Sequence, residues 1–461
     1  MLVPKLERLL GIEVYATRSP SIGGIIRENV EDFIVEEILV DGSRAEINKI
    51  ESEVKGGVLG SSPAKDRYLL CVLVKRNWDT FIALRNIAGQ LGIKTNEIHI
   101  AGIKDAKAVT GQHIAIERIS TEDVQKIHIK DVEVRPIGYV HNKLSSYYLL
   151  GNSFQISIKA INYPKSTIQK RITKTIEELE AFGGVPNFFG YQRFGTTRPI
   201  THMVGKAIVK GNLRKAAMLF LAKPSPYEHP SSRRAREELQ ATQDFKQALE
   251  NFPKQLRYER LMLKHLTERP EDFVGAFRRI PIRLRRLFVQ AYQSYLFNRF
   301  LSRRIRNGLS LNSAQVGDYV VNVERSGLPM VTRYKMVSVE ICAEICSLIR
   351  DGKMRLAIPL VGFKQHPSQG IQGETENQIL EEEGVSLKNF RLTAVPEMSA
   401  RGELRSVMAP LKNFLLDEVL NDSTMPSRNE VKVSFMLYRG SYATIVLREL
   451  MKPRNVIDAA F

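Results

Sequence analysis

The chain has 461 residues, of which 43% are hydrophobic and 26% charged, and its formal net charge at pH 7 is +18. This length exceeds the size at which one hydrophobic core normally stops growing, so we expect two compact units, one of them inserted into the other. The composition is typical of a globular protein with a hydrophobic core rather than of a disordered chain, and no run approaches the roughly 20 apolar residues that a membrane helix needs. Because the N-terminus also lacks the apolar segment of a signal peptide, the sequence predicts a cytoplasmic protein.

The charge balance indicates the kind of partner. The chain carries 68 lysines and arginines against 50 acidic residues. A positive field attracts phosphate chains, and neutralising phosphates supplies affinity, so nucleic acid is the expected partner. A generally basic surface without such a partner is the alternative, and composition does not distinguish DNA from RNA.

The first third of the chain has the pattern of a mixed fold. Segments 31–38 (EDFIVEEI) and 67–76 (RYLLCVLVKR) are apolar and rich in β-branched residues, which predicts buried strands, and the polar stretch 41–66 between them is predicted as a loop. A helix is predicted next, capped by Asp79 or Asn77 and stopped by Gly92. Its apolar positions recur at helical spacing and are Phe81, Ile82, Leu84, Ile87 and Leu91.

Two predicted strands, IHIAGI and QHIAIERI, then flank a loop that contains Asp105. Further strands are predicted at VEVRPIGYV and 152–161, followed by an amphipathic helix over 166–184. This order of elements favours a helix-covered, mainly antiparallel sheet of the α+β class over an alternating parallel one.

The pattern changes near residue 198. Mainly helical segments rich in lysine and arginine are predicted at 202–222, 231–250, 255–267 and 281–307. Short strands follow around GDYVVNVE and LPMVTRY, and then a helical patch, ENQILEEEG. The tail, 429–452, returns to the first pattern with a strand, a turn at Gly440 and a helix, so the middle block is predicted to be an insertion.

The cysteines do not predict a metal site. Cys342 and Cys346 are four residues apart, but no second ligand pair has metal-like spacing. We therefore expect these residues and Cys71 to be small buried hydrophobic side chains.

The loop AGIKDAKAVTGQ places the carboxylate of Asp105 between Lys104 and Lys107. Nearby cations favour the charged form of a carboxylate. An ionised acid is a poor proton donor but can serve as a general base, a nucleophile or a metal ligand. Oxygen-based metal sites usually need several carboxylates, and the nearest acids lie across the flanking strands. A base or a nucleophile remains, beside a structural alternative in which Asp105 caps backbone amides of the turn.

Aromatic side chains cluster at two places. The stretch PNFFGYQRFG groups four rings around Gln192 and Arg193, and Phe154 follows Asn152 by two residues, on the same face of a strand. Flat side chains beside amides and guanidinium groups suit a base that has been extruded from RNA. An aromatic corner of the core explains the same residues equally well.

Four stretches of the chain, in order, resemble the TruD family of RNA pseudouridine synthases. AGIKDAKAVTGQ is similar to the family signature G-x-K-D-x-x-A-x-T-x-Q, and NKLSSYYLLGNSFQISI resembles the segment that ends in G-N-x-F. VPNFFGYQRFG matches N-x-F-G-x-Q-R-F-G, and RGSYATIVLREL resembles the G-S-x-A-T closure near the C-terminus. These matches span nearly the whole chain.

The resemblance implies an isomerase without a metal or an organic cofactor, in which Asp105 is the catalytic aspartate. Asp105 would attack the ribose of the target uridine, or initiate elimination there, so that the glycosidic C–N bond breaks and uracil rejoins through carbon. The implied substrate is tRNA, at uridine 13 of the D-arm, and the implied oligomeric state is a monomer. Phe154 would stack on the target base, Asn152 would hold the local loop or the base edge, and Lys104 would contact the RNA backbone or tune the acid.

The resemblance implies further substrate contacts for Phe189, Gln192 and Arg193. The early family segment G-x-x-K-x-x-P-E-D-F appears here as GGIIRENVEDF, with Arg27 at the lysine position. Arginine keeps the charge, but its guanidinium group is planar and forked, so the sequence leaves open whether Arg27 pairs with Asp105 as that lysine would.

The implied domains are a pseudouridine-synthase catalytic domain over 1–197 and 395–461, with a long curved antiparallel sheet, and a mixed, largely helical TRUD insertion domain over 198–394. A basic cleft between them would hold the RNA.

Two other classes of protein remain open. A non-catalytic RNA-binding or RNA-folding module would use the same basic surface but would have no use for Asp105. A metal-dependent nuclease is suggested by the acids and eight histidines, but His99, His113, His128 and His141 do not cluster at ligand spacing.

Overall fold

The structure is a computed structural model that describes residues 2–48, 57–62, 67–422, 424–425 and 427–461. Part of the predicted loop 41–66 therefore lies outside the described residues. The chain forms two compact units. We call Thr17–Val185 with Ala409–Phe461 the sheet unit, and Met1–Ala16 with Pro186–Met408 the helical unit.

The described strands are β1 Phe33–Leu39, β2 Tyr68–Arg76, β3 Ile98–Ile100, β4 Val109–Glu117, β5 Val132–Val140, β6 Leu149–Ile161, β7 Val185–Pro186, β8 Tyr319–Val323, β9 Pro329–Met336, β10 Met354–Leu360, β11 Glu403–Ser406, β12 Met408–Ala409, β13 Leu411–Asn421 and β14 Asn429–Tyr438. The described helices are α1 Lys5–Leu9, α2 Thr80–Leu91, α3 Thr121–Val124, α4 Lys165–Ala181, α5 Thr201–Val209, α6 Leu213–Ala222, α7 Pro230–Thr242, α8 Phe245–Asn251, α9 Arg257–Glu268, α10 Phe273–Arg278, α11 Ile282–Arg306, α12 Cys342–Arg350, α13 Gly370–Glu383 and α14 Ala443–Met451. None of these helices combines the length and the apolar character of a membrane span.

The sheet unit is built on an eight-stranded sheet with the order β13-β14-β6-β1-β4-β2-β5, in which β3 also pairs with β4. Neighbouring strands are antiparallel except for β1 and β4, which are parallel. The predicted α+β fold with a curved, mainly antiparallel sheet is confirmed. Strands from the start and the end of the chain share this sheet, as the tail pattern predicts.

Strand β6 lies at the centre of the part of the sheet that holds the predicted site. Phe154 is opposite Val35 of β1 on one side and Phe435 of β14 on the other. Gly151 begins this stretch, and a Cβ atom at this position would lie 2.1 Å from the carbonyl oxygen of Leu437. The glycine of the G-N-x-F segment therefore allows β14 to approach β6 closely.

Helix α2 packs on the sheet as predicted. Asp79 caps it by accepting hydrogen bonds from the amides of Phe81 and Ile82 at 2.9 and 3.0 Å, and Gly92 ends it with a φ of 67°. Leu84 and Ile87 are buried, whereas Phe81 and Ile82 are 46% and 48% exposed. The helical period therefore identified the helix correctly, but Phe81 and Ile82 do not belong to its buried face.

The helical unit is organised around the 25-residue helix α11. Helix α5 packs against it at Gly205, where a Cβ atom would lie 2.0 Å from the carbonyl oxygen of Phe288. The predicted helical segments 202–222 and 231–250 each consist of two helices. Gly211, with a φ of 75°, separates α5 from α6, and Gln243, with a φ of 53°, separates α7 from α8. The remaining strands include a four-stranded sheet with the order β11-β10-β8-β9.

The compact units do not follow the predicted domain limits. Residues 1–16 belong to the helical unit, and the crossings fall at residues 185–186 and 408–409 instead of 197–198 and 394–395. The N-terminal residues belong to the helical unit because they are hydrogen-bonded to α11. The side-chain amide of Asn298 donates to the carbonyl oxygen of Leu10 at 3.0 Å. Ser302, one turn further along α11, donates to the carbonyl oxygen of Gly11 at 2.8 Å. Which unit is catalytic stays a prediction at this point.

We predict that Asn298→Ala destabilises the protein by about 2–4 kcal/mol, because the fully buried amide makes three hydrogen bonds whose partners would lose them. The free energy of unfolding in urea is the measurement. Gln290→Ala, at an exposed position on the same helix, is the matched control and should change that free energy by less than about 0.5 kcal/mol. Equal effects of the two substitutions would contradict the anchoring role of Asn298.

Candidate active site

Asp105 lies in the loop between β3 and β4, as predicted, and its side chain is 32% exposed. The loop backbone is held from two sides. Lys75 of β2 donates from Nζ to the carbonyl oxygen of Asp105 at 2.6 Å. Thr80, the first residue of α2, donates from Oγ1 to the carbonyl oxygen of Lys104 and accepts from the Lys104 amide, both at 3.2 Å. A strand and a helix terminus therefore fix where the carboxylate stands.

The partner of the carboxylate is Arg27. Its Nη2 atom lies 3.1 Å from Oδ1 of Asp105, and its side chain is only 9% exposed. The guanidinium group also lies 4.0 Å from the centroid of the Phe33 ring. Burial lowers the pKa of Arg27 from its ordinary value, and the nearby carboxylate opposes this shift. The question that the sequence left open is answered, because arginine at this position does pair with Asp105.

Arg27 has an unusual backbone conformation. Its φ is 55°, in the left-handed region that residues with a side chain rarely adopt. Such a conformation costs about 1–2 kcal/mol and persists only where the surroundings impose it. The surroundings here include the Asp105 carboxylate and the Phe33 ring, so the strain accompanies the placement of the guanidinium group.

A row of aromatic rings continues from Phe33 across the sheet. The ring centroids of Phe33 and Phe154 are 6.2 Å apart, those of Phe154 and Phe435 are 5.4 Å apart, and those of Phe435 and Phe414 are 6.2 Å apart. Phe154 is 6% exposed, so a base could not stack on its face unless this packing opened. The stacking role of Phe154 stays a prediction, and in this structure the ring supports Phe33.

Asn152 lies on β6 opposite Glu37 of β1. Its Oδ1 atom is buried and has no hydrogen-bond partner among the described residues. An unpaired buried acceptor costs about 1–3 kcal/mol, so this oxygen is suited to accept a hydrogen bond from a ligand.

Lys104 does not have the surroundings that the sequence predicts. Its ammonium group lies 2.5 Å from Oε2 of Glu37, and the two side chains are 3% and 0% exposed. Oε1 of Glu37 accepts from the amide of His113 at 3.1 Å. Burial alone would raise the pKa of Glu37, but Lys104 and His113 outweigh it, so this pKa lies below its ordinary value.

The expected contact of Lys104 with the RNA backbone does not fit this buried ion pair. Lys107, the other sequence neighbour, is exposed. Two cations contact Asp105 in the structure. Arg27 pairs with its side-chain carboxylate, and Lys75, which the sequence analysis missed, donates to its backbone carbonyl oxygen. Burial lowers the pKa of Lys75 to about 8, although Asp105 and Asp79 oppose the shift.

The other three predicted substrate-binding residues, Phe189, Gln192 and Arg193, lie in the helical unit. Phe189 is buried and makes an edge contact with Phe297, with ring centroids 5.6 Å apart. Arg193 donates from Nε to Oγ of Ser294 at 3.1 Å, whereas Gln192 is exposed. Phe189 therefore has a core position, and Gln192 is the member of this group that is open to a ligand.

Potential metal ligands do not come together in the described part of the chain, where no group of three or more histidine, cysteine or carboxylate side chains is placed to hold an ion. Cys71 is buried, as expected, and burial raises the pKa of its thiol. Cys342 and Cys346 are only half-buried, and both thiols lie near the carbonyl oxygen of Ala314, at 3.7 and 3.4 Å.

Comparison with known proteins identifies the family. The family model described as tRNA pseudouridine synthase D (TruD) matches residues 9–450. Proteins named "Probable tRNA pseudouridine synthase D" from Methanosarcina mazei and Methanosarcina acetivorans are 40% and 41% identical over 452 residues, which is 98% of this chain and 98% of each relative. The corresponding protein of Pyrococcus furiosus is 35% identical over 95% of this chain and 98% of its own length.

A crystal structure of a Methanosarcina mazei protein with the corresponding name superimposes with a TM-score of 0.81 at 40% identity, covering 98% of this chain and 99% of the other. The fold and the matches define the class as pseudouridine synthases, which are isomerases. More narrowly, the chain belongs to the TruD family.

We predict that Lys104→Met destabilises the protein by about 3–5 kcal/mol, because it leaves the buried carboxylate of Glu37 without its cation. Adding Glu37→Gln should recover most of the loss, since no buried charge then lacks a partner. Urea unfolding of the single and double variants measures the coupling. Purely additive losses would contradict the buried pair.

We predict a pH dependence of stability that comes from Lys75. Its pKa in the folded protein, about 8, is below the ordinary value of 10.5, so the unfolded chain binds more protons between these values. The cost of burying the charged amine is therefore fully present below about pH 8 and is relieved as the pH rises toward 10.5. The free energy of unfolding of wild type relative to Lys75→Met should rise by on the order of 2 kcal/mol across this interval. A difference that stays constant with pH would contradict the buried ammonium group.

Proposed function

We propose that this protein converts a uridine of tRNA to pseudouridine, at position 13 in the D-arm, with Asp105 as the catalytic residue. The observation that carries the proposal is a half-exposed carboxylate whose only ion-pair partner in the described chain is a nearly buried arginine. The family of the chain and its net charge of +18 support tRNA as the substrate.

The two carboxylate oxygens of Asp105 have different surroundings. Oδ1 is held by Arg27, and Oδ2 has no hydrogen-bond or ion-pair partner within the described residues. In this proposal Oδ2 acts on the ribose of an extruded uridine, either by attack at C1′ or by proton removal that starts an elimination. The bond from C1′ to N1 of uracil breaks and its electron pair stays on N1. A bond from C1′ to C5 then forms, which on the attack route displaces the Asp105 carboxylate from C1′. The proton on C5 leaves and N1 takes up a proton, so the product is an isomer of the substrate. The reaction needs no oxidant or reductant.

Arg27 orients the carboxylate of Asp105. A guanidinium group stays protonated throughout the working pH range even where burial lowers its pKa. The Phe33 ring covers one face of this group, so the arginine is limited to the geometry that meets Oδ1. The pair therefore positions the carboxylate before substrate arrives, and this saves reorganisation during the reaction.

Asn152, Phe154 and Lys104 act around this pair. The buried Oδ1 of Asn152 accepts a hydrogen bond from an N–H group of the target base. Phe154 supports Phe33 and offers its ring to the base when the aromatic row opens. Lys104, through Glu37, is a positioning residue and does not contact RNA. Gln192, with Phe189 and Arg193 behind it, contacts the RNA from the helical unit. The protein acts as a monomer in the cytoplasm.

Asp105→Asn should abolish pseudouridine formation while changing the affinity for tRNA by less than about threefold, because the amide keeps the shape but lacks a charged oxygen. Mapping of pseudouridine in tRNA after incubation with wild type and variant is the measurement. A non-catalytic RNA-binding module would give no product with either protein, and a metal-dependent nuclease would cut the RNA and stop on addition of a chelator.

Arg27→Met should lower kcat by about a hundredfold or more with little change in KM, since an oriented charge pair acts mainly in the transition state. Arg27→Lys keeps the charge and should retain more activity than Arg27→Met. Single-turnover rates of tRNA conversion distinguish the variants. If Arg27→Lys were no more active than Arg27→Met, geometry rather than charge would be the contribution of Arg27.

A further inference from the structure

A basic groove lies in the helical unit, between the end of α8 and one face of α9. It encloses about 350 Å³ and is lined by Leu249, Lys254, Arg257, Arg260, Leu261 and Lys264. Four of these six side chains are cations and none is an acid. The groove therefore presents one sign of charge over its whole lining.

Three of the four cations are available to a ligand. Lys254, Arg257 and Lys264 are exposed, and none of them has a carboxylate within ion-pair distance in the described chain. Other exposed cations of the same unit do have such partners. They are Arg214, 3.9 Å from Glu271, Arg233, 2.9 Å from Glu237, and Lys353, 3.5 Å from Asp351.

The fourth cation, Arg260, helps to build the groove. Its Nη1 atom donates to the carbonyl oxygens of Leu249 and Phe252, both at 2.6 Å. These bonds tie α9 to the end of α8 and fix the wall between them. Arg260 is half-buried, so its role is partly structural.

The cations follow one face of a helix. Arg257, Arg260 and Lys264 are spaced by three and four residues, so they lie along the same side of α9 over a length of about 10 Å. No side chain caps the N-terminus of α9, where Arg257 is the first residue. The positive end of the helix dipole adds to the potential there.

We propose that this groove binds the phosphate backbone of the RNA substrate at successive phosphates, without reading its bases. The inference rests on the proposed function and adds where the helical unit holds the RNA. The side chains of the lining include no carboxylate, amide or hydroxyl group. They can therefore donate hydrogen bonds to phosphate oxygens, but they cannot accept hydrogen bonds from the N–H groups of a base edge.

The test compares two triple variants of the full chain that remove the same charge. The groove variant is Lys254→Gln, Arg257→Gln, Lys264→Gln, and the control is Arg214→Gln, Arg233→Gln, Lys353→Gln. All six residues are exposed, so folding should be preserved in both. Dissociation constants for tRNA are measured from about 50 to 200 mM KCl.

The groove variant should lose about tenfold or more in affinity, and the slope of log affinity against log salt should become shallower by about 2–3, which corresponds to three lost phosphate contacts. The control should keep the wild-type slope within about 0.5. Arg257→Lys should also keep it, because a phosphate contact needs charge and not a forked group. Equal slopes for the two triple variants would overturn the proposal.

A second measurement separates the groove from other partners and from catalysis. In pseudouridine formation the groove variant should raise KM and leave kcat unchanged, whereas a structural defect would lower kcat as well. Loss of binding to polyglutamate with an unchanged tRNA slope would indicate an acidic protein partner and overturn the RNA assignment. The two proposals can also fail separately. If the groove variant and the control differ in salt slope as expected but the wild-type protein forms no pseudouridine, the proposed function is contradicted and the groove inference stands.

Discussion

The site depends on the fixed backbone of one loop. The role that we propose for Asp105 requires its carboxylate to meet Arg27 and still face solvent, and both conditions follow from where the loop is held. Lys75 binds the carbonyl oxygen of Asp105 itself, and Thr80 binds both backbone groups of the preceding residue. Lys75 belongs to a strand of the sheet, and Thr80 is the first residue of a helix packed on that sheet. The position of the carboxylate is therefore fixed by rigid elements of the fold.

The charges around Asp105 come from distant parts of the chain rather than from its neighbours in sequence. Lys104 is adjacent in sequence but pairs with Glu37 in the interior, while Arg27 reaches the carboxylate from a strained turn before β1. The loop thus takes part in two ion pairs, Lys104 with Glu37 in the interior and Asp105 with Arg27 where the carboxylate is half-exposed. The first pair is buried, and the second orients the carboxylate that we propose to be catalytic. This separation explains how a loop with two lysines keeps one carboxylate open to a substrate.

In the proposals above, the two compact units have different roles toward RNA. The sheet unit holds Asp105, Arg27, Asn152 and the aromatic row, which together suit chemistry on one nucleotide. The helical unit holds a groove in which three exposed cations have no carboxylate partner among the described residues, which suits a phosphate chain of any sequence. Base chemistry and backbone binding call for opposite surroundings, since the first needs a desolvated and shaped pocket and the second needs exposed charge.

The sequence by itself determined the class of fold, most elements and the family, and it singled out Asp105 as the residue that we propose to be catalytic. Periodicity identified α2, β1 and β14, and the residues around Asp105 carried the family, because local patterns report burial and turn chemistry directly. Only the tertiary structure decided that Asn298 holds residues 1–16 on the helical unit, that Lys75 anchors the loop and that Lys104 is buried. It also placed Phe33 and Phe435 on either side of Phe154. These are contacts between residues far apart in sequence, and strand pairing and helix packing, which no local pattern encodes, bring them together.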